Sequence, residues 1–193
     1  MVPILDLWLP IVLSTVIVFI ASAVAWMAIP KWHQPDLKVL PDEATFAGDL
    51  GRHELAPGQY MWPNCGSSEE MKSDEFKRRW AEGPWGLLRV AGTRPSFGVN
   101  LVVTFVYFLV VSVVVGFLAS RAFGSGAGYY EVFGFCFLAS ALAHCTMNLP
   151  NSMFLMEPRR WMLTNLIDGF VFAMLTAGTF AGLWPEAAGQ AGV

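Results

Sequence analysis

Charge is scarce in this sequence and unevenly spread. Only 14% of the 193 residues are Asp, Glu, Lys or Arg, against about 25% in an ordinary soluble domain. Most of these charges lie between Lys31 and Arg94, and the remainder of the chain is nearly free of them. That scarcity excludes an ordinary water-soluble globule. The net charge of −3 excludes the strongly basic surface that nucleic acid requires. Cysteine is scarce as well: Cys65, Cys136 and Cys145 form no CxxC pair and no disulfide framework. His33, His53 and Cys65 stand at separations that match no metal-ligand spacing, so they read as scattered surface residues and no metal is assigned. A nucleophile would have to be Cys65 or a serine, neither with a base at a defined spacing, so no catalytic residue is assigned.

What the sequence has instead is apolar length, with 55% hydrophobic residues. A bilayer core of about 30 Å takes roughly 20 apolar helical residues. Four stretches qualify: Leu7–Ile29, Phe97–Ser120, Tyr130–Leu149 and Trp161–Trp184. The first lacks the basic start of a signal peptide and carries Asp6, so it reads as a retained span. The expectation is an all-α membrane protein, a bundle of four transmembrane helices (1–29, 97–121, 130–149 and 161–184). A small α+β loop module over 30–96 would join the first two, and 185–193 would form a flexible tail. Of the twelve Lys and Arg residues, nine lie in 30–96, two in 150–160, and one is Arg121. The positive-inside rule then puts the large loop in the cytoplasm and both termini in the periplasm. Trp8, Trp32, Trp85, Trp161 and Trp184 fall near the span ends, where an aromatic belt would lie.

The loop is patterned. Pro41-Asp42-Glu43 opens a short helix that ends near Gly51, and Ala56-Pro57-Gly58 is a turn. Strands are expected at Gln59–Trp62 and Leu87–Val90. Between them, Ser67 and Ser68 precede Glu69 and Glu70 as a helix start. That helix should run through Lys77-Arg78-Arg79-Trp80 to Glu82-Gly83-Pro84. The basic run reads as a solvated face balanced by Asp74 and Glu75, with contact to anionic headgroups as the alternative.

Ionisable groups inside a bilayer are costly and draw a functional hypothesis by default. Here they are His144 and Asp168. Each is twelve residues from Met156 across the last hairpin, so they should lie at similar depth. At 100° per residue Thr164, Asn165 and Asp168 share one face of the last span. Ser140, His144 and Asn148 share one face of the span before it. The two faces should meet each other or a common cavity. One reading is a protonatable site for proton transfer or for a polar headgroup such as a quinone ring. The other, favoured on sequence grounds, is a hydrogen bond that fixes helix register, worth about 0.6 kcal/mol. No cofactor is assigned within the chain; quinone or haem would enter only with a partner chain. Gly178 and Gly182 form a GxxxG, and Ser112, Gly116 and Ser120 a small-residue ladder, for close packing inside the chain or with another subunit.

At Leu40-Pro41-Asp42-Glu43, Pro57-Gly58-Gln59-Tyr60-Met61-Trp62-Pro63, Glu82-Gly83-Pro84 and Asp168-Gly169 through Leu183-Trp184-Pro185, the chain resembles a family of small uncharacterised four-span bacterial inner-membrane proteins. The resemblance implies that location and no activity. The leading expectation is therefore a non-catalytic accessory or assembly subunit of a larger bacterial membrane complex, with lipid and other membrane subunits or its own copies as partners. The rival is a small transporter, or a quinone- or proton-handling protein, built on His144 and Asp168.

Overall fold

The structure, a computed structural model, describes residues 1–146 and 149–187, with Leu149 and Asn151 by their backbone alone. It divides into two compact units. The larger comprises Met1–Lys38, Phe97–Ser152 and the chain from Glu157 onward; the smaller comprises Val39–Ser96 with Met153–Met156.

Five helices belong to the membrane-like part of the chain. A 3-10 turn (Ile4–Leu7) leads into α1 (Trp8–Ala23), which ends in a π turn (Val24–Ala28). The smaller unit's elements come next and are numbered through β2. After them follow α5 (Phe97–Ala122), α6 (Tyr129–Cys145), the short α7 (Leu149–Phe154) and α8 (Arg159–Gly182). Among the described residues three helices are long and apolar enough to cross a membrane: Ile4–Ala28, Phe97–Ala122 and Arg159–Gly182. The third expected span, 130–149, is shorter than its apolar run. Helix α6 has 17 residues, which at 1.5 Å each reaches about 26 Å. It stops at Cys145, ahead of Asn148, which lies outside the described residues.

The helices form a ring in which α1 packs on α5 and α8, and α6 packs on the same two. Neighbours run antiparallel: Phe19 meets Phe105 and Ser14 meets Ser112 across α1 and α5. Small residues set the close approaches. The Ser14 hydroxyl donates to the Ser112 hydroxyl at 3.0 Å. At Gly116 an added Cβ would lie 3.1 Å from Phe180 and 3.2 Å from Ile11. Ser120, also buried, lends its carbonyl to the Val2 N–H at 3.2 Å. The ladder Ser112–Gly116–Ser120 is thus spent inside the chain. Gly178 and Gly182 are not: a Cβ at either would meet nothing within 4 Å. They border an open groove with Leu13, Ile17, Met174 and Leu183.

α6 and α8 make the tightest crossing, at Gly169. A Cβ there would lie 2.9 Å from the His144 carbonyl oxygen and 3.0 Å from the Cys145 sulfur. Beyond α8 the buried Trp184 donates its indole N–H to the Gly124 carbonyl, and the Pro185 carbonyl accepts from Gly126 N–H. The segment read as a flexible tail is therefore tied down at its start. Residues 188–193 lie outside the described ones.

The smaller unit holds α2 (Glu43–Arg52), β1 (Gly58–Trp62), α3 (Ser68–Lys72), α4 (Asp74–Glu82) and β2 (Gly86–Val90). The strands pair antiparallel, with Gly58 opposite Val90 and Trp62 opposite Gly86. Gly86 is there because the Trp62 ring covers it; a Cβ would come within 2.0 Å of that ring. Side-chain caps start each helix, from Asp42 to Thr45 N–H, Ser67 to Glu70 N–H and Ser73 to Phe76 N–H. The Ser73 cap splits what the sequence presents as one continuous helix into α3 and α4. Of the basic run, Lys77 pairs with Asp74 and Arg79 with Glu70, exposed contacts of little energetic weight.

Filling the tight crossing should cost more than filling the open groove. Gly169→Leu is expected to destabilise the detergent-solubilised protein by about 1–3 kcal/mol through overpacking. Gly178→Leu should leave thermal unfolding nearly unchanged. Equal melting temperatures for the two variants would contradict this helix packing.

Candidate functional site

The site begins where α1 ends. The π turn closes with the Ile29 N–H bonded to the Val24 carbonyl at 3.1 Å. Such a turn inserts one extra residue and re-aims the side chains that follow. The chain then reverses through Pro30 and Lys31, the latter held left-handed at φ 67°. A residue with a side chain pays about 1–3 kcal/mol for such a conformation, so its surroundings must hold it there. Arg160, at the start of α8, does so: its guanidinium donates to the carbonyls of Lys31 and Trp32 at 3.0 and 2.7 Å and to the Asp36 carboxylate. A single 3-10 turn, Gln34–Asp36, completes the segment.

This geometry lays residues 30–38 against the start of α8 instead of leaving them in the loop module. It buries His33 to 3% exposure, correcting the reading of that histidine as a surface residue. His33 Nε2 lies 2.7 Å from Asp168 Oδ2, and Nδ1 lies 3.0 Å from Asp36 Oδ2. The Trp32 indole N–H donates to the other Asp168 oxygen at 2.9 Å. The Thr164 hydroxyl reaches Asp36 at 3.2 Å. Trp26 stacks flat on the imidazole, with ring centroids 3.9 Å apart. Two of the expected belt tryptophans, Trp32 and Trp184, therefore spend their N–H groups inside the protein.

The valences of this chain fix its proton count. A carboxylate only accepts, and a neutral imidazole has one N–H to give. Satisfying both contacts takes two protons on the ring, or one on the ring and one on a carboxyl. In either case His33, Asp36, Asp168 and Arg160 together carry no net charge. Burial raises the Asp36 pKa. Hydrogen bonds from His33, Arg160 and Thr164, together with the Arg160 charge, outweigh it and hold that carboxyl below its ordinary value.

Asp168 also borders a cavity of about 240 Å³ within the helical unit. The expected partners Asp168 and His144 both line it, as does Asn165, but they do not bond to each other. His144 points into a cage of rings, with Tyr107, Phe108 and Phe172 centroids 5.8–6.0 Å away. Among the described residues its nitrogens meet no hydrogen-bond partner. The expected pairing of Asp168 with His144 is therefore replaced by pairing with His33. Asn165 donates to the Trp161 carbonyl at 2.8 Å. Ser140 is fully buried, and its hydroxyl finds no partner among the described residues. Cys136 lies in the core, and Cys145 lines the cavity beside His144; both are free thiols.

Among the described residues no three His, Cys, Asp or Glu side chains are grouped to hold a metal ion. The two carboxylates at His33 meet opposite edges of the ring and so do not converge on a point. His33 and Asp36 were within reach of sequence reasoning: three residues apart around Pro35, they eclipse on one face of a 3-10 turn. Their link to Asp168 spans 135 residues and leaves no local signal. No family model, curated protein or solved structure matches this chain.

Because the folded-state Asp36 pKa is depressed, its stabilising contribution is complete above the unfolded value of about 3.9. It is lost as pH falls through the lower folded value. Asp36→Asn should therefore melt below wild type at neutral pH, with the gap closing as pH drops below about 4. A gap that stays constant across that range would show that the Asp36 charge contributes nothing.

Proposed function

We propose that this chain is a membrane protein that binds a small polar ligand in the α1–α5–α6–α8 cavity and exchanges a proton there, as a small transporter or a quinone- or proton-handling protein would. The observation that carries this reading is the hydrogen-bonded chain Asp36–His33–Asp168, whose last member borders the cavity. Proton loss from the chain turns one N–H···O contact into two facing acceptors and leaves one uncompensated negative charge. A ligand that offers a donor to Asp168 relieves that state. Ligand entry and proton release thus become linked. The His144 ring, which has no hydrogen-bond partner among the described residues, and the acceptor oxygen of Asn165 supply further polar contacts. In this reading α6 serves as a fourth span, the Lys and Arg distribution favours the cytoplasmic side for the Val39–Ser96 module, and the bacterial inner membrane is what the family resemblance implies.

A second reading, an accessory subunit of a larger membrane complex, is favoured by one observation. The small-residue groove at Gly178 and Gly182 is left open by the other described residues. Gentle detergent extraction with size analysis tests it, and a lone monomer would count against it.

The principal reading is tested through Trp26, whose emission should respond to the charge on the ring it stacks against. Titrating the purified full chain in nonionic detergent should show a one-proton step that His33→Gln removes and Asp168→Asn shifts, with both variants still monodisperse. No step in wild type, or a loss of folding on the isosteric Asp168→Asn change, would instead mark the cluster as a fixed structural clamp.

A further inference from the structure

The walls of the cavity have a distinct chemistry. Five aromatic side chains border it: Trp26, Tyr107, Phe108, Trp161 and Phe172. They come from α1's terminal turn, α5 and α8, so the rings surround the space from several sides. Asp168 is the one carboxylate among the lining residues, and none of those residues is Lys or Arg. Aromatic faces attract cations through their quadrupoles, most strongly where water is excluded. They offer nothing to an anion. A phosphate or carboxylate ligand would face an acidic group with no compensating base. A hard metal ion would lack the oxygen shell it needs. A lipid tail would gain nothing from Asp168, Asn165 and His144.

We propose that the cavity binds a small organic cation, an alkylammonium or quaternary ammonium group, against Asp168 and the surrounding rings, and that its entry expels one proton from the Asp36–His33–Asp168 chain. This rests on the ligand-binding reading above and supplies its ligand class. The charge arithmetic explains the coupling. With its proton, the cluster of Asp36, His33, Asp168 and Arg160 is neutral and holds a cation weakly. Without it, the cluster carries one negative charge beside the rings. The cation and the proton thus compete for a single charge. No bond between heavy atoms forms or breaks: the cation enters, one His33 N–H bond breaks as its proton passes to water to form an O–H bond, and the net charge of the loaded cluster is unchanged. A volume of about 240 Å³ limits the ligand to a compact head group.

Other titratable groups lie near this exchange. Tyr107 comes from α5, and His144 and Cys145 from α6. Glu157 bonds Ser152 at the rim, and Arg160 sits behind Asp36. Among the described residues the side chains that bond Asp168 are Trp32 and His33. The competition is therefore assigned to His33, and it can be checked at that residue.

The test uses the full chain in nonionic detergent, with tetramethylammonium and propylammonium as probes. Their neutral counterpart is 3,3-dimethyl-1-butanol, and acetate is the anionic control. Binding is read by tryptophan emission and calorimetry, and proton release by an indicator dye in weak buffer. We expect a cation to bind with release of about one proton per site, a ratio that falls towards zero in His33→Gln. Affinity should fall at least about tenfold in Asp168→Asn and in Trp161→Leu. The Trp161 variant leaves the hydrogen-bonded chain whole, so it keeps the test decisive if Asp168→Asn does not fold. Equal binding of the neutral alcohol, without proton release, would overturn the cation inference while leaving a ligand site. No binding of either cation, in a protein that still shows the one-proton step of Trp26, would overturn the inference alone. Absence of that step as well would remove both readings.

Discussion

The charged end of the helical unit is organised around the imidazole of His33, because its two nitrogens meet carboxylates carried by different segments. Asp36 belongs to the turn that follows α1, and Asp168 to the interior of α8. One ring therefore joins the juxtamembrane segment to the last helix, and the surrounding contacts serve that junction. Arg160 neutralises the outer carboxylate and holds the left-handed Lys31. Trp32 takes the second oxygen of Asp168, and Trp26 covers the face of the imidazole. Removing one partner from such a buried group typically costs about 3–5 kcal/mol, because the other charge is left uncompensated.

The same arrangement explains how α8 tolerates an aspartate. Of the three helices able to cross a membrane, it is the least apolar, and Thr164, Asn165, Asp168, Thr176 and Thr179 within it each have a hydrogen-bond partner. Thr164 and Asp168 look toward the turn after α1. Asn165, Thr176 and Thr179 return hydrogen bonds to their own helix. The apolar residues Leu163, Ile167, Phe170, Val171 and Met174 are exposed on the other side. The cavity is the exception to this economy. Among the described residues the His144 nitrogens and the Asn165 amide oxygen have no hydrogen-bond partner there, beside the Asp168 carboxyl.

Much of the framework was legible from hydropathy. The three long helices begin and end within a few residues of their apolar runs, and both strands and the helix caps Asp42 and Ser67 of the small unit stand where turn chemistry put them. His144 and Asp168, expected to face each other or a common cavity, both border one cavity. Asp168's partner was not. Sequence periodicity assigns depth and face within regular helices, whereas residues 30–38 run through a π turn, a left-handed residue and a single 3-10 turn. No period survives that path, so His33 read as part of a polar loop. Ser73 was missed for a related reason: a serine that caps a new helix looks, in composition, like one inside a continuing helix.

The link between His33 and Asp168 also carries an order in time. The chain is made from its N-terminus, and 135 residues separate the two partners. While α5 and α6 are being made, the segment after α1 therefore has its histidine and Asp36 but neither Arg160 nor Asp168. Only the arrival of α8 brings the Arg160 that clamps the left-handed Lys31 and the Asp168 that meets His33. Until then the nascent chain carries that charged stretch without these partners. Closure of the junction is thus a built-in mark that α8 has been made, one that a chain broken off before it has no means to acquire.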